Sequence, residues 1–185
     1  MARSATAMRD DILDSAVRLF ATHGFLGTSL QDIASDAGCS KASLLYHFTN
    51  KDAILAELLA PAGQELAALT DRLTALEGDE AARAAVAGLV ELALRFRLHV
   101  KILIQDIDTM TNRPELPDVH ALTERMVDAL TGHSGDPKAR VWGWMALVAI
   151  FLTSAADLAI DDRTLRAELT RGALRTLGHQ APSNR

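Results

Sequence analysis

Ser40, Lys41, Ser43, Tyr46, His47 and Lys51 gather hydroxyl, cationic, phenolic and imidazole groups on one short stretch, a set suited to contacting nucleic acid. Lysine can donate to guanine acceptors in a major groove, serine can meet several base edges, and the apolar Ala42 or Leu45 can touch a thymine methyl. Lys51 stands at the expected start of the following helix, where backbone N–H groups already favour a phosphate, so it is expected to position the duplex rather than read it. Catalytic signatures are missing: the sequence holds no Gly-rich phosphate loop, His-Glu-x-x-His pair or Gly-x-Ser-x-Gly elbow. His120 and Glu124 share an i, i+4 spacing, and Asp106 or Asp108 could add an oxygen, but this spacing reads as solvated helix surface. An enzyme, a cofactor and a metal site are therefore not expected.

The donors need a scaffold, and the segment from Thr28 to Asp52 supplies one. Thr28 and Gln31 have the spacing of a capping box, which predicts that a helix starts at Thr28 with Leu30, Ile33, Ala34 and Ala37 as its buried stripe. Gly38 is expected to end it in a left-handed turn. Cys39 reads as a small apolar plug and Ser40 as the cap of the next helix. On that helix Leu44 and Phe48 are i, i+4 partners that pin it inward, leaving Ser40, Lys41, Ser43 and Tyr46 on the other side. A preceding helix is predicted from Met8 to Thr22 with Ile12, Leu13, Ala16, Val17 and Phe20 inside, stopped by His23-Gly24. The arrangement is that of a helix-turn-helix.

The stretch from Phe25 to Leu55 resembles the DNA-binding domain of the TetR (tetracycline-repressor) family of bacterial regulators. Matching residues include Gly24, Phe25, Thr28, Ser29, Ile33, Ala34, Ala37, Gly38, Ser40, Lys41, Leu44, Tyr46, His47, Phe48, Asn50, Lys51 and Leu55. The resemblance implies base-edge contacts for Ser40, Lys41 and Ser43, phosphate contacts for Tyr46, His47 and Lys51, and a second backbone contact for Thr28. Ala42, Leu45 and Asp52 depart from the usual Gly, aromatic and Glu. Leu45 exchanges a phenol for an apolar contact, which bears on operator preference rather than on binding mode.

Ala-rich and Leu-rich throughout with few aromatics, the remainder has the composition of an all-helical domain. The fold is expected to be all-α: an N-terminal three-helix helix-turn-helix DNA-binding domain over residues 1–52, and a larger C-terminal helical ligand-binding and dimerisation domain over 53–185. Pro61 falls inside the expected fourth helix and should kink or restart it near Ala60. Further helices are predicted near 79–98, 100–111, 116–131, 137–160 and 163–177. Residues 141–156, apolar on all sides, fall short of a membrane span, so no membrane partner is expected. Such a helix must be buried all round, one face against its own core and another against a second subunit. With the last helix (Leu165, Leu169, Ala173, Leu177) it is expected to form a four-helix homodimer interface.

At 185 residues with a net charge of −5 and one cysteine, the chain has room for two domains and suits a reducing cytoplasm without a signal peptide. The first domain is not basic: Arg3, Arg9, Arg18, Lys41 and Lys51 face Asp10, Asp11, Asp14, Asp32, Asp36 and Asp52. That counts against a general nucleic-acid coat. With its cations gathered on the reading face, the domain is expected to bind weakly off-site and to be steeply salt-sensitive. The resemblance further implies an effector pocket in the C-terminal domain, for which Phe96, His99, Leu103, Met110, His120, Trp142, Met145 and Phe151 are candidate lining residues. Their apolar character favours a hydrophobic small molecule. The functional expectation is a homodimeric, effector-responsive repressor released from a palindromic operator on double-stranded DNA. The alternative is a helical ligand-binding or protein-interaction module without sequence-specific DNA binding.

Overall fold

A computed structural model describes residues 5–105 and 119–179. Among these the regular elements are all helices: α1 (Ala5–His23), α2 (Leu30–Asp36), α3 (Lys41–His47), α4 (Lys51–Leu73), α5 (Gly78–Arg95), α6 (Arg97–Gln105), α7 (Val119–Leu130), α8 (Pro137–Ala155) and α9 (Asp162–Thr176). The chain divides into two compact units, one from the described residues within Met1–Pro61 and Lys101–Pro117, the other from those within Ala62–Val100 and Asp118–Arg185. The first unit thus extends past the expected limit at residue 52, taking in the start of α4 and the end of α6.

In the first unit, Ile12, Ala16 and Phe20 of α1 pack with Ile33 and Ala34 of α2, Leu44 of α3 and Ile54 and Leu55 of α4 in one core. Gly24 stops α1 with φ +76°, and Gly38 ends α2 with φ +67°. At the second stop Cys39 N–H donates to Ala34 O (2.9 Å) and Gly38 N–H to Ser35 O (3.2 Å), a Schellman pair that satisfies carbonyls the helix leaves open. The α2 cap lies one residue beyond the expected one. Ser29 Oγ accepts from Asp32 N–H, and Asp32 accepts in return from Ser29 N–H at 2.8 Å. Thr28 instead turns its hydroxyl back to Gly24 O at 2.8 Å and is buried.

The second unit is an apolar core of Leu69, Leu73, Val86, Leu89, Met126, Leu130, Leu147, Ile150, Leu165 and Leu169, among others, from α4, α5, α7, α8 and α9. Asp136 caps α8 ahead of Pro137, and Asp161 caps α9, accepting from Thr164 N–H at 2.9 Å. Three expectations are corrected. α4 runs through Pro61 without restarting, since Pro61 is exposed while apolar residues on both sides of it are buried, Leu58 and Leu59 in one core and Leu69 and Leu73 in the other. α8 ends at Ala155 rather than 160, because from Ala156 the backbone becomes extended. The α9 stripe Leu165, Leu169 and Ala173, expected at a subunit interface, is buried in its own unit.

Candidate nucleic-acid interface

The geometry of α3 follows from two buried anchors. Leu44 is fully buried and Phe48 nearly so, which fixes the inward side of a seven-residue helix and turns the other side out. Ser40 caps it, its hydroxyl accepting from Ser43 N–H at 3.1 Å. Lys41, Ala42, Leu45 and Tyr46 are exposed, and Ser43 and His47 half-buried. Tyr46, at 84% exposure, and Leu45, at 43%, are large side chains held in water by the fold, an arrangement that signals a contact surface. Their neighbour His47 sets its ring edge-on to Tyr46, centroids 5.3 Å apart.

Two residues assigned to this surface from sequence make contacts within the first unit. Thr28 is 2% exposed, so its side chain is not presented to a ligand. Lys51 places its ammonium on Phe25 O (2.5 Å) and Thr28 O (2.7 Å) and 4.2 Å from the centre of the Phe25 ring. It ties the α1–α2 loop to the start of α4.

Of the cations expected on the reading face, Arg3 lies outside the described residues, and Arg9 and Arg18 are paired with carboxylates. Arg18 is bound to Asp36 at 2.7 Å, and that pairing holds the Asp36 carboxyl below its usual range. Arg9 is bound to Glu57 and donates to His47 O at 2.9 Å. Lys41 is the cation that α3 itself carries outward. Sequence spacing gives no sign of Arg9 or Glu57, because their partners lie 38 to 48 positions away.

The candidate effector residues fall in both units. Phe96 and His99 meet edge-on at 5.3 Å, and burial lowers the His99 pKa below its ordinary value. Leu103 packs against the first core and Phe151 against the second. His120, Trp142 and Met145 are exposed, and Met110 lies outside the described residues, as do Asp106 and Asp108. Glu124 is paired with Arg140. On α8 the core side is Gly143, Ala146, Leu147, Ile150 and Ser154, while Val141, Trp142, Met145, Val148 and Leu152 form an exposed apolar stripe. Among the described residues no helix is long and apolar enough to cross a membrane.

Residues 12–58 match the family described as "Bacterial regulatory proteins, tetR family". Across 47 residues the chain is 47% identical to the biofilm operon icaADBC HTH-type negative transcriptional regulator IcaR of Staphylococcus epidermidis and 49% identical to that of Staphylococcus aureus strain Newman. Each match covers 25% of this chain and 25% of the relative, so the chain spans about a quarter of the length of the curated relatives it matches. Likeness to solved structures is wider. The ketosteroid transcriptional regulator KstR2 of Mycobacterium tuberculosis has a TM-score of 0.78 at 18% identity, covering 96% of this chain and 95% of that one. AmtR of Mycobacterium smegmatis has a TM-score of 0.73 at 28% identity, covering 94% and 87%. At 18% identity the first likeness speaks for the fold alone.

Proposed function

The chain belongs to the TetR family of bacterial regulatory proteins through its N-terminal helix-turn-helix, and from that premise we propose that it is a transcriptional repressor acting on double-stranded operator DNA as a homodimer. The outward side of α3 carries the reading. Ser40, Lys41 and Ser43 meet base edges, Ala42 and Leu45 add apolar contacts, and Tyr46 and His47 hold the backbone. The single observation behind this is the exposure of Tyr46 and Leu45 beside Lys41 on a helix whose opposite side is locked by Leu44 and Phe48.

A palindromic operator requires two readers related by a two-fold axis. The exposed stripe of Val141, Trp142, Met145, Val148 and Leu152 supports α8 as the centre of a self-complementary contact, with α9 beside it. Large aromatic and thioether side chains of this kind dominate binding energy when buried between subunits.

A small hydrophobic effector held by the second unit is the regulatory part of the proposal, with no catalysis assigned. α4 and α6 each contribute residues to both units, so an effector that prefers one packing of these helices shifts the population able to bind DNA. Couplings of this kind are typically about 1–3 kcal/mol, giving graded release. The test is operator binding by wild type and Lys41→Ala. Wild type should discriminate one selected duplex from others, and the variant should lose much of that discrimination. Equal, weak binding of every duplex by both proteins would overturn the proposal.

A further inference from the structure

Arg9 lies before the matched residues 12–58, yet it joins three helices of the first unit. Its Nε donates to Glu57 Oε1 of α4 at 2.9 Å and its Nη2 pairs with Glu57 Oε2. Its Nη1 donates to His47 O, the last residue of α3, at 2.9 Å, and its Cζ sits 4.3 Å from the centre of the Phe48 ring. The α3 helix needs such support. Seven residues are too few to hold a helix by its own hydrogen bonds, and Phe48 breaks it at once with extended backbone, φ −136° and ψ 125°. Leu44 and Phe48 hold α3 against the core, but two apolar anchors along one line leave rotation about that line weakly determined. A guanidinium fork that fills an open C-terminal carbonyl while clamped to α4 removes that freedom.

We propose that Arg9 is a positioning residue for DNA recognition: paired with Glu57, it sets the angle at which α3 presents Lys41, Ser43 and Tyr46. The inference rests on α3 being the reading helix. Arg9 contributes little as a phosphate contact, because its guanidinium is paired with Glu57 and its Cζ sits over the Phe48 ring. Lysine cannot replace it, having a point charge where the fork and the flat face are needed.

The experiment compares full-length wild type, R9K, E57Q and the double variant below the onset of melting of each, checked by circular dichroism. Two duplexes serve, one enriched by the wild-type chain from a random pool and an unrelated one of equal length. Either single variant should bind the selected duplex about tenfold less tightly, and the double variant should bind no less tightly than the singles. Affinity for the unrelated duplex and the salt slope should stay as in wild type. Full affinity of folded R9K would overturn the proposal. So would tighter binding by E57Q, additive losses, or parallel loss on both duplexes with a shallower salt slope, the mark of a direct phosphate contact. If wild type enriches no duplex, the functional reading fails separately. Positioning is then read from amide exchange of α3 in the free protein, where R9K should speed exchange at residues 44–48 about tenfold, and unchanged rates would overturn it.

Discussion

The two units hold themselves together by different means. In the second, long helices bury a continuous apolar core, side chains pair with side chains at its rim, as in Arg95–Glu65 and Arg125–Asp71, and the apolar α8 stripe is left exposed. The first sets two seven-residue helices against α1 and the start of α4, and its polar ties reach backbone groups as well: Lys51 on two loop carbonyls, Arg9 on Glu57 and His47 O, the Ser29–Asp32 box. Helices of seven residues bury too little to fix their own tilt, so side-chain hydrogen bonds supply the remainder. The lesson is that cations in a DNA-binding unit need not serve the DNA. Arg9, Arg18 and Lys51 are committed within the protein, and salt sensitivity should be gentler than their number suggests.

The largest expected effect tests the apolar surplus of the second unit. Met145→Asp with Val148→Asp places four carboxylates in each symmetric contact. It should raise the dimer dissociation constant about a thousandfold, or roughly 4 kcal/mol, seen as monomers by sedimentation with the helical content kept. Leu44→Ala comes next, because it empties a fully buried position and should cost about 2–5 kcal/mol of first-unit stability in a denaturant titration. Lys41→Ala should then lose about 1–3 kcal/mol of discrimination between selected and altered half-sites without changing the melting temperature.

The smallest effect is a pH response in the second unit. His133 Nδ1 meets Asp128 Oδ2 at 2.6 Å and Nε2 meets Leu73 O at 3.3 Å. Both partners accept, so the doubly protonated ring suits the site, and the hydrogen bond with Asp128 is the main cause that raises its pKa above the ordinary 6.5. The stabilisation is fully present below that ordinary value and is lost as pH rises through the folded one. For so exposed a pair the change should be about 0.5 kcal/mol, measured as unfolding free energy against pH, and His133→Gln should flatten it.

Sequence legibility followed the same division. Gly38 as a stop, Leu44 and Phe48 as anchors, and the all-helical fold depend on spacing within a few residues, and they are visible without coordinates. The cap slipped from Thr28 to Ser29 because either hydroxyl can cap and only burial decides between them. The tasks of Lys51 and Arg9 were hidden because their partners are distant in the chain. On α8, apolar all round, no periodicity separates core from surface, so Trp142 and Met145 read as pocket candidates although they stand on the outer stripe. Residues Leu165 and Leu169 were misplaced for the opposite reason: a clear stripe tells that a face is buried, not against what.

Selection of duplexes from a random pool by the wild-type chain tests most directly whether two copies of α3 read DNA together. The account predicts a two-fold symmetric consensus with half-sites about one helical turn apart, its information concentrated where Lys41 and Ser43 reach. Enrichment of a single unpaired half-site would contradict the paired reading, and enrichment of no sequence would favour a helical module that does not recognise DNA by sequence.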